Sequence, residues 1–129
     1  MSSVAHNKEV VRRTFEEAFN QEQIELLDEL IAADVVNLDP LSYETLTPEE
    51  ARGFEGFKRH VAIAHEAFPD AKVTIDDMIG EGDVVAARLT FEGTHQGRFG
   101  GIEPTGKTVS GINVVFYRLQ DGKIVERWF

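Results

Sequence analysis

Asp121-Gly122-Lys123-Ile-Val-Glu-Arg-Trp-Phe129 reads as a tight turn opening into a strand, and it decides how the residues before it are read. A strand entered from such a turn needs a partner just upstream, and residues 107–119 supply one. Residues 83–94 and 71–79 have the same character, with joints at Gly80-Glu-Gly82 and in the Gly-rich stretch 97–106. The sequence therefore predicts a four-stranded meander. Its glycines at 97, 100, 101 and 106 lie between two strands, so they read as a flexible hairpin loop that can serve as a lid.

Before residue 70 the apolar period changes from 2 to 3.6. Val11, Phe15, Ala18 and Phe19 mark an amphipathic helix over residues 4–20, and Ile24, Leu27, Leu30 and Ile31 mark a second that is expected to finish near Ala33. A short extended piece, 34–38, is stopped by Asp39-Pro40. Thr47-Pro48-Glu49-Glu50 is a capping-box sequence with proline at the first helical position. Gly53 and Gly56 predict a break before the main body of this third helix, in which Phe57, Val61, Ala64 and Phe68 share a side. Helices first and strands last give the class α+β, in a single domain over 1–129.

The strands are apolar on both faces near their centres. Val85, Ala87, Leu89 and Phe91 share one face of the second; on the third, Ile112, Val114 and Phe116 oppose Asn113, Val115 and Tyr117. Three helices cover one face. The expected cover for the other is a second copy of the sheet, hence a homodimer through the outer sheet face.

With a formal charge of −10 and 13 scattered basic residues, the chain lacks the basic stripe that phosphate backbones require, so nucleic acid is not an expected partner. Cysteine is absent, which excludes disulfides, thiolate zinc sites and thiol nucleophiles and agrees with a reducing compartment. There is no apolar run of membrane-span length, and Met1-Ser-Ser-Val-Ala-His-Asn-Lys8 lacks the order of a signal peptide. The expectation is a cytoplasmic protein with no membrane partner. His60 and His65 stand five apart on a helix and point to different sides, so no metal site is expected; His65 either touches the core side near Phe68 or is a capped or surface histidine.

Several short stretches recur in a specific order: Asn7-Lys-Glu-Val-Val-Arg12, Gly53-Phe-Glu-Gly-Phe57, Phe68-Pro-Asp70, Gly82-Asp-Val-Val-Ala-Ala-Arg88, Gly93-Thr-His95 and Gly122-Lys-Ile-Val-Glu-Arg-Trp128. Together they resemble the SnoaL-like (polyketide cyclase-like) domains of the nuclear transport factor 2-like superfamily. The resemblance implies a strongly curved antiparallel sheet packed against three N-terminal helices as a cone, whose open end holds a small apolar or aromatic, carbonyl-bearing ligand. It also implies cofactor-independent cyclase or isomerase chemistry. In that chemistry an acid on the last strand moves a proton on and off carbon while polar neighbours hold the enolate.

Carried over by position, the acid falls on Phe129 and its companion histidine on Val115, neither of which can exchange a proton. The family glutamine falls on Asn113 and the asparagine after helix two on Asn37, so two amides are kept. The resemblance thus leaves open whether the chain is an enzyme, and it assigns no catalytic residue. The alternative is a non-catalytic ligand-binding or dimeric interaction module.

Register matters to this assignment. A strict two-residue loop at Asp121-Gly122 sets Val115 against Trp128, whereas a three-residue loop sets Asn113 against Phe129. The family arrangement favours the second, which places Val125, Arg127 and Phe129 inside with Asn113, Val115 and Tyr117, and turns Trp128 outward. Arg88, a charge in an apolar strand, either holds a ligand carboxylate, ester or enolate inside the cone or pairs with Glu92 or Asp77 on a solvent-facing patch. Arg127 reaches the pocket mouth or bonds a rim carboxylate. Asp39 is either a substitute acid or a turn former. The expected ligand-binding set is Asn37, Arg88, Asn113, Tyr117, Arg127 and Phe129.

Overall fold

A computed structural model describes residues 3–38, 49, 52–99 and 101–128. Asp39, Thr47, Pro48, Glu50 and Phe129 lie outside these, so the readings of the capping box, the substitute acid and the final aromatic are not placed.

Helix α1 (Val4–Arg13) starts at Ser3, whose hydroxyl accepts the His6 amide N–H at 3.1 Å. From Thr14 the coil widens into a π-helical segment, Thr14–Phe19, which ends where the Asn20 amide donates to the Phe15 carbonyl at 2.8 Å. The single helix expected over 4–20 is therefore two coils of different pitch. A 3₁₀ turn (Ile24–Leu26) leads into the short α2 (Leu27–Leu30). The chain is already extended at Ile31, and β1 runs Ile31–Leu38, so the helix expected to reach Ala33 stops three residues earlier. Pairing of Ile31 with Ile124 overrides the local helical period there. Helix α3 (Gly53–Ala67) starts at Gly53, whose φ of +65° suits glycine, and runs unbroken through the buried Gly56.

The other strands are β2 (Lys72–Glu81), β3 (Val84–Thr94), β4 (Thr108–Gln120) and β5 (Lys123–Trp128), in the sheet order β1-β5-β4-β3-β2. Three pairs are antiparallel as expected, but β1 lies parallel to β5, so the curved sheet is mixed rather than wholly antiparallel. Parallel neighbours need a crossover, and α3 with the meander provides it. β2 is an edge, and the Asn20 side chain covers part of it: its amide donates to the Val73 carbonyl at 2.7 Å and its oxygen accepts the Val73 N–H at 2.8 Å.

The β4–β5 hairpin corrects the expected register. Asp121 (φ 52°) and Gly122 (φ 79°) form a two-residue turn with both central residues left-handed, and Gln120 pairs with Lys123. Beyond Leu119–Ile124 the register shifts, giving Arg118–Glu126, Tyr117–Arg127 and Phe116–Trp128. Val125 is absorbed as a bulge instead of facing inward with Arg127. The bulge lets both Ile124 and Arg127 be buried, while Trp128 shares the outer face with Phe116 as expected.

Val85, Ala87, Leu89, Val115, Tyr117 and Ile124 on the concave face pack against Val10, Val11, Phe15, Leu27, Leu30 and Phe57 to form the core. The convex face leaves Ile79, Ile112, Val114 and Phe116 exposed. Among the described residues no helix is long and apolar enough to cross a membrane.

Candidate functional site

Between the concave face and the helices lies a cavity of about 260 Å³. Its walls are mainly aromatic. Phe15 and Phe19 come from the π-helical segment, Phe57 from α3, Phe68 from the end of that helix and Phe91 from β3. Phe99 reaches in from the loop between β3 and β4, 5.9 Å from the Phe68 ring. Phe54, also on α3, is not part of the wall; its ring lies under the Lys58 ammonium at 4.8 Å.

The polar side chains in the described wall are Thr14, His60, Asn113, Tyr117 and Arg127. Thr14 is committed to its own helix, its hydroxyl donating to the Val10 carbonyl at 2.9 Å. Arg127 is the central one, and three elements place it. The β4–β5 register sets it beside Tyr117, the parallel β1–β5 pairing sets it beside Asn37, and α3 lays the Phe57 ring against its guanidinium at 4.5 Å. Asn37 accepts the Arg127 Nε–H at 3.1 Å while its own amide donates to the Gly53 carbonyl at 3.0 Å, so the oxygen's orientation is fixed by the start of α3. A side chain held by an amide and an aromatic face has little rotamer freedom left. Arg127 is only 2% exposed.

His60 faces the same cavity from α3. Burial pushes its imidazole down to about 3, and the positive charge of Arg127 acts in the same direction. It is neutral at neutral pH and so offers one N–H donor and one nitrogen acceptor. Sequence reading weighed His60 only as half of an improbable metal pair and gave it no place in the site. The signal that reveals it is the row Phe57, His60, Val61 and Ala64, spaced three and four apart along one helix face, all of which line the cavity.

The remaining expected site residues divide. Asn113 lines the cavity from β4 and is exposed, as at a mouth, and Tyr117 is buried in the wall with its ring 6.0 Å from that of Phe15. Asn37 sits one layer behind, acting on Arg127. Arg88 does not line the cavity: it alternates with the inward Ala87 and Leu89, is exposed on the convex face, and pairs in register with Asp77. The solvent-patch reading of Arg88 is the one the strand's period enforces. Val115, at the family histidine position, is wholly buried.

His65 is occupied elsewhere, its Nε2 3.0 Å from the Phe19 carbonyl and its ring 4.4 Å from that of Phe19. His95 is buried at the base of the loop, its Nδ1 3.1 Å from the Thr105 hydroxyl. That base is pinned rather than loose: the Gln96 and Gly97 N–H groups both donate to the Ala67 carbonyl at 3.0 Å. Among the described residues no three His, Cys, Asp or Glu side chains converge as a metal site. Chemically, the polar end combines a fixed cation, a phenol, an amide and a neutral imidazole inside apolar walls. Such a set can hold an oxyanion and exchange a proton beside it.

The fold agrees with comparisons to known proteins. A family model described as SnoaL-like polyketide cyclase matches residues 9–129. The chain is 30% identical over 113 residues to aklanonic acid methyl ester cyclase AcmA of Streptomyces galilaeus, a match spanning 87% of this chain and 75% of that protein. Among solved structures, wild-type IdmH of Streptomyces antibioticus is similar at 33% identity and a TM-score of 0.79, over 95% of this chain and 88% of that one. AclR of Streptomyces galilaeus is similar at 29% identity and a TM-score of 0.79, over 98% of this chain and 74% of that one.

Proposed function

The chain belongs to the SnoaL-like polyketide cyclase family, and from that premise we propose that its cavity takes a small apolar or aromatic, carbonyl-bearing molecule and carries out cyclase- or isomerase-like proton transfer through residues other than the usual pair. The observation that carries this reading is the meeting of His60, Tyr117 and Arg127 in one aromatic-walled cavity. His60 takes a proton from the carbon next to the carbonyl. The C–H electron pair passes into the enolate, whose oxygen is held by Arg127, with Tyr117 and Asn113 as further donors. Ring closure on a second carbonyl then gives an alkoxide that takes the proton back from His60. An imidazole held near 3 is a weak base at rest, but an enolate forming beside it adds a negative charge that favours the imidazolium. No metal or organic cofactor enters this balance.

The test is hydrogen–deuterium exchange at the central carbon of ethyl benzoylacetate, followed by NMR in D₂O. Exchange faster than buffer, lost in His60→Gln, supports the reading. Exchange at the buffer rate removes the catalytic part. The second reading, a non-catalytic binding module, is favoured by Phe129 and Val115 at the family's acid and histidine positions. It expects ligand binding with no exchange.

The proposal extends to a homodimer. Ile79, Ile112, Val114, Phe116 and Trp128 share the convex face, and Ile112 is 72% exposed in the single chain. A second copy of this sheet is the cover that buries them. Sedimentation velocity should give a dimer that Val114→Glu with Phe116→Glu converts to monomer; a monomeric wild type overturns the assembly. The compartment remains an expectation from composition, a cytoplasmic one.

A further inference from the structure

We infer that Phe99 is the stop that sets how long a ligand the cavity accepts: a body of two fused rings behind the carbonyl fits, and one of three does not. The inference rests on the cavity being a ligand site, and it adds the residue that determines the ligand's size.

The cavity has two unlike ends. Along α3, His60 and Phe68 are eight residues apart, which is about 12 Å of helix. Along β3, Val85, the register partner of Tyr117, and Phe91 are six residues apart, which is roughly 20 Å of strand before curvature. Both walls therefore put His60, Tyr117 and Arg127 at one end and Phe68 and Phe91 at the other. Val61, Ala64 and Leu89 line the stretch between with aliphatic side chains. Asn113, exposed at the mouth, pairs in register with Leu89, so a ligand enters at the side and the aromatic end is not the doorway.

Phe99 closes that aromatic end. Among the described lining residues it is the one that comes from neither a helix, a strand nor a helix cap. Its ring lies 5.9 Å from that of Phe68, which in turn meets Phe91 edge-on at 5.2 Å, both favourable spacings for aromatic pairs. The Phe99 backbone exchanges two hydrogen bonds with Ile102, at 3.1 and 2.8 Å, so the tip is a miniature hairpin. Below it, the Gln96 and Gly97 N–H groups hold the Ala67 carbonyl, and the Gly106 N–H donates to the His95 carbonyl at 2.8 Å. A ring presented by so braced a segment resists displacement, and a ligand must fit the space it leaves. That space is about 260 Å³, under the roughly 300–1,000 Å³ of sites for drug-sized molecules, so a compact body is selected. Buried area alone would give the opposite order, since each added ring removes more apolar surface from water. A preference for the smaller ligand is therefore the signature of a stop.

The test is fluorescence titration of the wild-type protein with 2-acetylnaphthalene and, separately, with 2-acetylanthracene. The two-ring ketone should bind at least tenfold more tightly than the three-ring one. In Phe99→Ala the order should reverse, whereas Ile102→Ala, which alters the exposed partner on the same hairpin, should keep it. If Phe99→Ala fails to fold, Phe99→Trp decides: a longer stop should weaken the two-ring ketone at least tenfold. Wild-type binding of the three-ring ketone as tightly as the two-ring one, or an order unchanged in Phe99→Ala, overturns the stop and leaves the cavity reading standing. Binding of neither ketone to wild type or to Phe99→Ala overturns both.

Discussion

Asn37 and Arg127 are register partners on parallel strands, and the amide oxygen of the first accepts the Nε–H of the second at 3.1 Å in a buried setting. The same amide donates to the Gly53 carbonyl, so one side chain joins β1, β5 and the start of α3. Asn37→Ala removes both bonds and takes an acceptor from a buried cation. A loss of about 2–3 kcal/mol is expected, measured by urea unfolding. A loss below about 0.5 kcal/mol would show that the bond does not hold the arginine in place.

His60 predicts a pH dependence. In the unfolded chain its imidazole takes up a proton near 6.5, whereas in the folded protein it does so only near 3. Between these values the unfolded state binds more protons, so falling pH favours unfolding. The stability that the neutral histidine contributes is full above about 6.5 and is lost as pH drops toward 3, at up to about 1.4 kcal/mol per unit. Unfolding free energies of wild type and His60→Gln, measured from pH 7.5 to 4.5, should converge as the pH falls. Parallel curves would contradict the buried neutral imidazole.

Asn20 ties the π-helical segment to the exposed edge of the sheet by two bonds to Val73. Asn20→Ala should cost about 1–3 kcal/mol. It should also speed amide exchange at Val73, because that N–H loses its partner. Unchanged protection at Val73 would mean that the edge is covered by another group.

Gly97 lies so close to α3 that a Cβ at this position would come within 2.0 Å of the Glu66 carbonyl oxygen. Gly97→Ala must push the loop base off the helix, at a cost of about 1–3 kcal/mol or more. Faster hydrogen exchange over residues 95–107, with Phe99 withdrawn from the cavity, is the expected accompaniment. A variant with wild-type melting and exchange would show that the base is loose.

The strands and their order along the chain were legible because period-2 alternation and glycine joints are local signals. Val85, Ala87 and Leu89 announced the concave face, and the same alternation places Arg88 outside, a conclusion that its charge obscured. What could not be read locally was long-range. The parallel pairing that draws Ile31 into a strand depends on β5, and the bulge at Val125 depends on burying both Ile124 and Arg127. The site was half legible. Asn113, Tyr117 and Arg127 were expected on the inward face and do line the cavity, while His60 was passed over because a lone helical histidine was judged by its distance from His65 and not by its row with Phe57 and Val61.

The position of β5 between β4 and β1 also governs the order in which the molecule can be assembled during synthesis. β1 leaves the ribosome early, yet among the described residues its neighbour in the sheet is β5, made after β2, β3 and β4. Until Lys123–Trp128 emerges, Ile31–Leu38 lacks the partner it pairs with in the folded sheet. The nascent chain can close the β2–β3–β4 meander first, and the concave chamber is completed only when the late strand slots in and brings its arginine to the waiting asparagine.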